Sequence, residues 1–191
     1  MPETERKRPH QQPPPPPITA ERLEKAALRY LERFSASAAS LRRVLARRVE
    51  RSARDHDTDP AEGAAWIEDL LERYRRSGLL DDAVYAEAKA SSLRRRGASA
   101  RAIREKLAAK GVDAETAVAA LNRTDQDAGH SETADSADED AARALARRRR
   151  LGPFRPDSAR ADNRNRDLAA LGRAGFSYET ARRVIDGENE A

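Results

Sequence analysis

The residues best suited to chemistry in this chain are arginines and lysines that recur at helical spacing near its middle. Residues 82–123 carry nine positive side chains against five negative ones. Guanidinium and ammonium groups donate charge-assisted hydrogen bonds to phosphate and carboxylate oxygens, so this region could bind an anionic surface. A solvated outer helix face is the alternative for any single one of them. The candidate contact residues are Arg94, Arg95, Arg96, Arg101, Arg104, Lys106 and Lys110.

A second group of arginines follows an acidic stretch. Residues 125–140 contain seven acidic side chains and no lysine or arginine, which is typical of a solvated linker, and we expect the C-terminal end of this stretch to become a helix. The charge reverses immediately afterwards, and an acidic segment beside a basic one could also shield it when no partner is bound. The arginines that join the candidate contact set are Arg147, Arg148, Arg149 and Arg150.

The chain offers little for catalysis or metal binding. Its histidines, His10, His56 and His130, fall in segments that we predict to be tail, loop and linker, with no second ligand at metal spacing. No glycine-rich phosphate loop or nucleophile elbow is present. Asp81 and Asp82 stand at a predicted helix start, where capping explains the paired carboxylates better than acid–base chemistry. We therefore predict a protein that is not an enzyme and that needs no cofactor or metal.

Composition favours small modules over one large core. The 191 residues are 38% hydrophobic, 4% aromatic and 37% charged, which leaves too little apolar material for a single large interior. The net charge is +4, and arginine supplies 32 of the 37 positive side chains. This balance suits binding to phosphate or to an acidic protein, and arginine codons in a GC-rich genome are the alternative explanation.

Targeting signals are also missing from the sequence. There is no cysteine, so neither a disulfide nor a thiolate metal site is expected. No apolar run approaches the roughly 18 residues of a membrane span, and the N-terminus lacks the apolar core of a signal peptide. We predict a cytoplasmic protein that does not enter a membrane.

Short helices must position the candidate contact residues. Residues 78–121 contain three helix starts and two glycine stops, with apolar residues at helical spacing between them. Each helix is too short to be stable alone, so its stability must come from packing. The starts are predicted at Asp81 or Asp82, at Ser99 and at Asp113, and the stops at Gly97 and Gly111.

The same unit recurs along the chain. Residues 107–117 align without a gap to residues 171–181, at an offset of 64 that pairs Gly111 with Gly175. A period of about 60 residues with helix signals at matching places is typical of tandem helical modules. The predicted fold is therefore all-α, an elongated tandem array of three three-helix repeats. The upstream copy matches at an offset of 62, where Leu31, Ser37, Leu41 and Leu45 align with Leu93, Ser99, Ile103 and Leu107.

These signals divide the chain into segments. We predict a disordered proline-rich tail at 1–17, repeat 1 at 18–78, repeat 2 at 79–123, an acidic linker at 124–135, repeat 3 at 136–187 and a disordered C-terminus at 188–191. The first helix is expected to carry Phe34 on its core face, and a helix is expected at 137–150. Further helix starts are predicted at Thr19, Ser37 or Ser40, Asp59, Ser136 and, after the breaks at Pro153 and Pro156, Ser158.

Four stretches of the sequence carry a family resemblance. They are GLLDDAVYA at 78–86, LRRRG at 93–97, KGV at 110–112 and AGFSYETARRVI at 174–185, and together they resemble the RecX family of bacterial recombinase regulators. The resemblance covers roughly residues 19–187. This chain departs from the family pattern in its tail, its acidic linker and a predicted loop at 153–165.

The resemblance implies both a fold and a function. It implies an elongated, curved protein of three tandem three-helix repeats that binds in the groove of the RecA nucleoprotein filament and bridges protomers. The implied effect is suppression of ATP hydrolysis, strand exchange and co-protease activity, and hence modulation of recombination, DNA repair and the SOS response. We also expect weak affinity for single- or double-stranded DNA, and a monomeric state.

A helix-turn-helix that binds duplex DNA on its own is the alternative function. Residues 99–121 form two predicted helices joined at Gly111, which is the outline of that motif. The second helix offers Glu115, Thr116 and Asn122 but no arginine for a base edge. The sequence therefore favours the regulator over the stand-alone DNA-binding protein.

Overall fold

The structure, a computed structural model, describes residues 16–129 and 134–187 of the chain. These residues form nine α-helices, one 3₁₀ turn at Gly152–Phe154 and no β-strand, so the all-α prediction is confirmed. The helices are α1 Ala20–Leu31, α2 Ala38–His56, α3 Pro60–Arg76, α4 Asp82–Arg94, α5 Ala100–Ala108, α6 Ala114–Asp127, α7 Ala134–Arg149, α8 Asp157–Arg173 and α9 Tyr178–Asp186.

Side-chain caps set most helix starts. An oxygen of the cap residue accepts a hydrogen bond from a backbone N–H of the first turn, which otherwise has no partner inside the helix. Ser37 caps α2 and Asp81 caps α4, so the structure selects the first residue of each predicted pair. The other capping side chains are Thr19, Asp59, Ser99, Asp113 and Ser177.

Each set of three consecutive helices packs around its own apolar core. The aligned residues Leu41, Ile103, Leu107 and Leu171 are all fully buried, as equivalent repeat positions should be. These separate cores confirm the prediction of three three-helix repeats. The cores centre on Leu23, Leu41, Leu45, Leu70 and Leu71 in α1–α3, on Ala86, Ile103, Leu107 and Leu121 in α4–α6, and on Leu145, Leu171, Val184 and Ile185 in α7–α9.

Two matching sets of hydrogen bonds join the repeats in a row. At the first junction the Ser37 hydroxyl donates to the carbonyl oxygen of Lys110, over 2.5 Å. At the second junction the Ser99 hydroxyl donates to the carbonyl oxygen of Ala174, over 2.8 Å. In each case the serine that caps the middle helix of one repeat contacts the end of the middle helix in the next.

A carboxylate completes each junction. The N–H of Ala38 donates to Oδ1 of Asp82 over 2.8 Å, and the N–H of Ala100 donates to Oδ1 of Asp138 over the same distance. Both acceptors lie early in the first helix of the following repeat. The middle helix of one repeat is therefore held by both of the first two helices of the next.

Several predicted boundaries were wrong. α1 ends at Leu31, so Phe34 lies in the following loop and is exposed instead of facing the core. α6 continues past residue 123 to Asp127, because Asp125 is buried against an arginine of α4 and the Thr124 hydroxyl bonds the carbonyl oxygen of Ala120. α7 begins at Ala134, so Ser136 lies inside it.

The predicted loop at 153–165 is mostly helix. α8 begins at Asp157, directly after Pro156, and Ser158 lies inside its first turn. The guanidinium of Arg160 secures this start, since it bonds the carbonyl oxygen of Pro153 over 2.7 Å and pairs with Asp157 over 3.0 Å. Proline thus ends the 3₁₀ turn and starts the next helix, and it does not open a long loop.

The ends of the chain and the centre of the linker lie outside the described residues, including the predictions for 1–15, 130–133 and 188–191. The last two prolines of the tail are described, and the Arg22 guanidinium bonds the carbonyl oxygen of Pro17. Over residues 16–129 and 134–187, no helix combines the length and hydropathy that crossing a membrane requires.

Candidate partner-binding surface

The helix α5 and the residues on either side of it carry the predicted contact residues of repeat 2. Ile103 and Leu107 point into the core and Ala100 packs against it, whereas the charged positions of this nine-residue helix face outward. α5 also runs from one junction to the other, because its start bonds repeat 3 and its end bonds repeat 1. The exposed cations here are Arg95, Arg96, Arg101, Arg104, Lys106 and Lys110.

Arg94 does not belong to the exposed group, and our prediction for it is corrected. Its Nε and Nη2 donate to the carboxylate of Asp125 over 2.9 and 2.8 Å, and its Nη1 donates to Asp138 over 2.5 Å. Only 10% of the side chain is exposed. Burial opposes the charge, but the two carboxylates outweigh it and raise the pKa of Arg94. Contact with a partner would remove the ion pairs of the buried Asp125 and the half-buried Asp138, at high energetic cost.

Asp125 and Asp138 are residues whose role the sequence did not reveal. Both belong to the acidic stretch that we interpreted as a solvated linker. Instead, Asp138 accepts from Arg94 and from the N–H of Ala100 at once, which ties α4, α5 and α7 together. Nothing in the neighbouring sequence identifies their partner, because Arg94 is 31 residues from Asp125 and 44 residues from Asp138.

The structure brings the two predicted basic groups together at the second junction. Nη1 of Arg148 donates to the carbonyl oxygen of Arg96 over 2.8 Å. Gly97 permits this approach, since a Cβ atom at that position would lie 2.7 Å from the carbonyl oxygen of Ala141 in α7. Arg101 lies at the same junction, with its Cβ near Gly175.

The remaining candidates are spread more widely. Lys110 lies at the other end of α5, where its carbonyl oxygen meets repeat 1. The nine residues of α5 span about 13 Å at 1.5 Å per residue, so Lys106 and Lys110 do not join the group around Arg96 and Arg148. The structure therefore gives one basic cluster at the second junction and a line of cations along α5.

The exposed arginines are weakly held. Nε of Arg101 bonds Oε1 of Glu105 over 2.9 Å, which raises the pKa of Arg101, and both side chains are largely exposed. Nη1 of Arg95 donates to the Ser91 hydroxyl over 2.7 Å. Exposed pairs of this kind contribute little to stability, so a phosphate or carboxylate of a partner can replace Glu105 at low cost.

The geometry gives no support to the helix-turn-helix alternative. The N–H and the hydroxyl of Thr116 both donate to Asp113, over 2.8 and 2.7 Å, and they hold the pKa of that carboxyl below its usual value. Glu115 adds a second negative charge in the first turn of α6. The helix end that would enter the major groove therefore presents carboxylates to a polyanion.

Comparison with known proteins agrees with this architecture. The family model for the second three-helix domain of RecX matches residues 81–121, from the cap of α4 into α6. A crystal structure of a regulatory protein RecX superposes with a TM-score of 0.61 at 19% identity, over 88% of this chain and 72% of that one. At that identity the superposition bears on the fold alone.

Two relatives extend the match in sequence. The regulatory protein RecX of Agrobacterium fabrum (strain C58) is 38% identical over 109 residues, which is 56% of this chain and 51% of that protein. The regulatory protein RecX of Myxococcus xanthus (strain DK1622) is 49% identical over 165 residues, which is 86% of this chain and 84% of that protein. With nearly half of its residues identical to that relative over most of both proteins, the chain belongs to the RecX family of regulatory proteins.

Proposed function

We propose that this protein regulates RecA, mainly as an inhibitor, by binding in the groove of the RecA–DNA filament. The effect would be suppression of ATP hydrolysis, strand exchange and co-protease activity, and through them modulation of recombination, DNA repair and the SOS response. We further propose that it acts as a monomer in the cytoplasm. Membership of a family of regulators supports the general role.

One observation carries the specific proposal. The two junctions repeat the same hydrogen bonds, from Ser37 to Lys110 and from Ser99 to Ala174, so three repeats follow one another by a similar step. A stack of repeats with a constant step presents similar surfaces at regular intervals along its length. A filament of identical protomers also offers binding surfaces at regular intervals. Successive repeats of the stack can therefore contact successive protomers of the filament.

The charges of the array suit a groove that contains nucleic acid. The cluster around Arg96 and Arg148 and the cations along α5 offer donors for phosphate and for acidic side chains. A rigid array that contacts two neighbouring protomers binds best to one arrangement of them. It therefore slows every step that requires the protomers to move, including turnover of ATP.

The test measures phosphate release by RecA on single-stranded DNA in the presence of ATP and increasing amounts of this protein. We expect hydrolysis to fall as the protein approaches the concentration of RecA. A protein that leaves hydrolysis unchanged at stoichiometric excess, yet selects one duplex sequence in salt that abolishes non-specific contacts, would contradict the proposal and restore the helix-turn-helix alternative.

A further inference from the structure

An apolar groove lies beside the first junction, between repeats 1 and 2. It has a volume of about 400 Å³, and its walls are the end of α1 with the loop that follows, the connection from α3 to α4, and the first turn of α4. Leu28, Phe34, Leu79 and Val84 line it and are 40%, 54%, 50% and 63% exposed. Among the described residues six large apolar side chains are exposed, and these are four of them.

The groove is preformed. The Phe34 ring packs against Tyr30, with ring centroids 5.1 Å apart. The N–H of Leu80 bonds the carbonyl oxygen of Tyr74 over 3.1 Å, which turns Leu80 into the core and leaves Leu79 outside. Binding to such a surface requires little ordering of the protein, so most of the apolar contact contributes to affinity.

The second junction has a cleft at the corresponding place, and it is chemically different. The alignment of repeats 1 and 2, at an offset of 62, places Arg94 where repeat 1 has Glu32. Asp82 and Asp138 accept equivalent hydrogen bonds at the two junctions, and their offset of 56 places Asp140 where the first groove has Val84. Arg94, Asp125 and Asp140 line that second cleft, and Arg94 closes part of it with its two ion pairs. Joining two repeats therefore does not require an exposed apolar groove, so the groove at the first junction needs another explanation.

Charge identifies what the groove can bind. Its only charged lining residues are Glu32 and Asp81, and neither forms an ion pair within residues 16–129 and 134–187. Glu32 also lies at the C-terminal end of α1, where the helix dipole adds negative potential. The carboxylates that line the groove therefore disfavour phosphate there, although the chain as a whole has a net charge of +4.

We propose that this groove docks a protein segment that offers a bulky apolar side chain next to a lysine or arginine, and that DNA does not enter it. The inference rests on the proposed function for the identity of the partner, which is a surface of the RecA protomer. The protein then binds the filament through two different contacts. The cations of repeats 2 and 3 meet nucleic acid or acidic residues, and the groove meets protein.

The test compares two double variants that each change two exposed apolar residues to glutamine. Leu79→Gln with Val84→Gln alters the groove, whereas Val118→Gln with Tyr178→Gln alters exposed positions elsewhere. Thermal melts establish that each variant folds. We expect the groove variant to need about tenfold more protein for the same inhibition of RecA ATP hydrolysis, with unchanged affinity for naked DNA, because the groove acts through apolar contact.

A third variant tests the charges without disturbing the apolar walls. Glu32→Gln with Asp81→Asn removes both negative charges, and asparagine caps a helix about as well as aspartate. We expect weaker inhibition by this variant at low salt, and a difference from wild type that narrows as salt rises, since exposed charge interactions are screened.

The outcomes separate this inference from the function on which it rests. If the wild-type protein fails to inhibit RecA, the proposed function and the identity of the partner both fall. If wild type inhibits and a folded groove variant inhibits equally well, only the groove inference is overturned. It is also overturned if naked DNA binding falls in parallel, or if wild type forms a dimer that Leu79→Gln with Val84→Gln dissociates.

Discussion

The hydroxyl of Ser99 donates a hydrogen bond of 2.8 Å to the carbonyl oxygen of Ala174, across the boundary between repeats 2 and 3. The Ser99 hydroxyl oxygen also accepts a hydrogen bond from the N–H of Ala102 and so caps α5. One side chain thus starts a helix and joins two repeats. Ser37 does both at the first boundary, so the repeat period and the junction depend on the same residues.

Replacing Ser99 with alanine should cost more than replacing an ordinary cap. Ser99→Ala loses the cap, worth about 1 kcal/mol, and a buried hydrogen bond worth about 1 kcal/mol more. Thr19 is the matched control, because it is exposed and caps α1 by accepting a hydrogen bond from the N–H of Arg22. Thr19→Ala should therefore lose only the cap. Urea unfolding measures the free energy of unfolding of both variants. Equal losses of that free energy would show that the bond to Ala174 adds nothing to stability.

The glycine at the first junction provides a second test. A Cβ atom on Gly111 would lie 2.3 Å from Cβ of Ala39, whereas one on Gly78 would meet nothing within 4 Å. Both residues have positive φ, 78° and 72°, so alanine meets the same backbone penalty of about 1–2 kcal/mol at each. Gly111→Ala should cost about 1–3 kcal/mol beyond that, because repeats 1 and 2 must separate. Unfolding free energies that agree for the two variants would contradict the close junction.

Acid should destabilise repeat 3 through Asp167. Burial alone would raise the pKa of this carboxyl, but two hydrogen bonds from Arg155 and one from the N–H of Gly152 hold that pKa below its usual value. A depressed pKa in the folded state gives stability that is present above the unfolded pKa of about 4 and is lost as pH falls through the folded pKa.

The measurement is urea unfolding of wild type and Asp167→Asn between pH 7 and pH 2. We expect the variant to be less stable than wild type at pH 7 and the difference to shrink on acidification. Part of the acid sensitivity should persist, since Arg164 also depresses the pKa of Asp186. If the free energies of unfolding of wild type and Asp167→Asn differed by the same amount at every pH, a role for the Asp167 charge would be excluded.

Sequence alone predicts most of the helix starts, and the repeat that they mark, because a capping signal depends on neighbouring residues. A cap and the amide that it accepts lie two or three residues apart, so the signal at Ser99 or Asp113 is local. The offset of 64 can be recognised because the same local signals recur at matching positions. It pairs Gly111 with Gly175, which the fold then places at equivalent junctions.

The parts that the sequence does not predict depend on contacts between distant residues. Arg94 looks like its neighbours Arg95 and Arg96, and only the packing of α6 and α7 against α4 gives it two carboxylate partners. Phe34 fits the apolar stripe of α1, but the helix ends before it reaches that position. The groove that Phe34 helps to form follows from that early end.

Contact between the cations of repeat 2 and the RecA filament, as we propose it, is tested directly by one comparison of variants. Phosphate release by RecA on single-stranded DNA is measured with wild type and with the triple variant Arg95→Glu, Arg101→Glu and Arg104→Glu. The matched control reverses Arg47, Arg48 and Arg51, which are exposed on α2. The two buried residues of α5, Ile103 and Leu107, stay unchanged, so folding should survive.

We expect the triple variant to inhibit about tenfold less well or worse, a loss of about 1.4 kcal/mol or more, while the α2 control inhibits like wild type. Binding of the triple variant to naked duplex should fall by a smaller factor, and that difference should fade as salt rises. A folded triple variant that suppresses RecA ATP hydrolysis as strongly as wild type would contradict the claim.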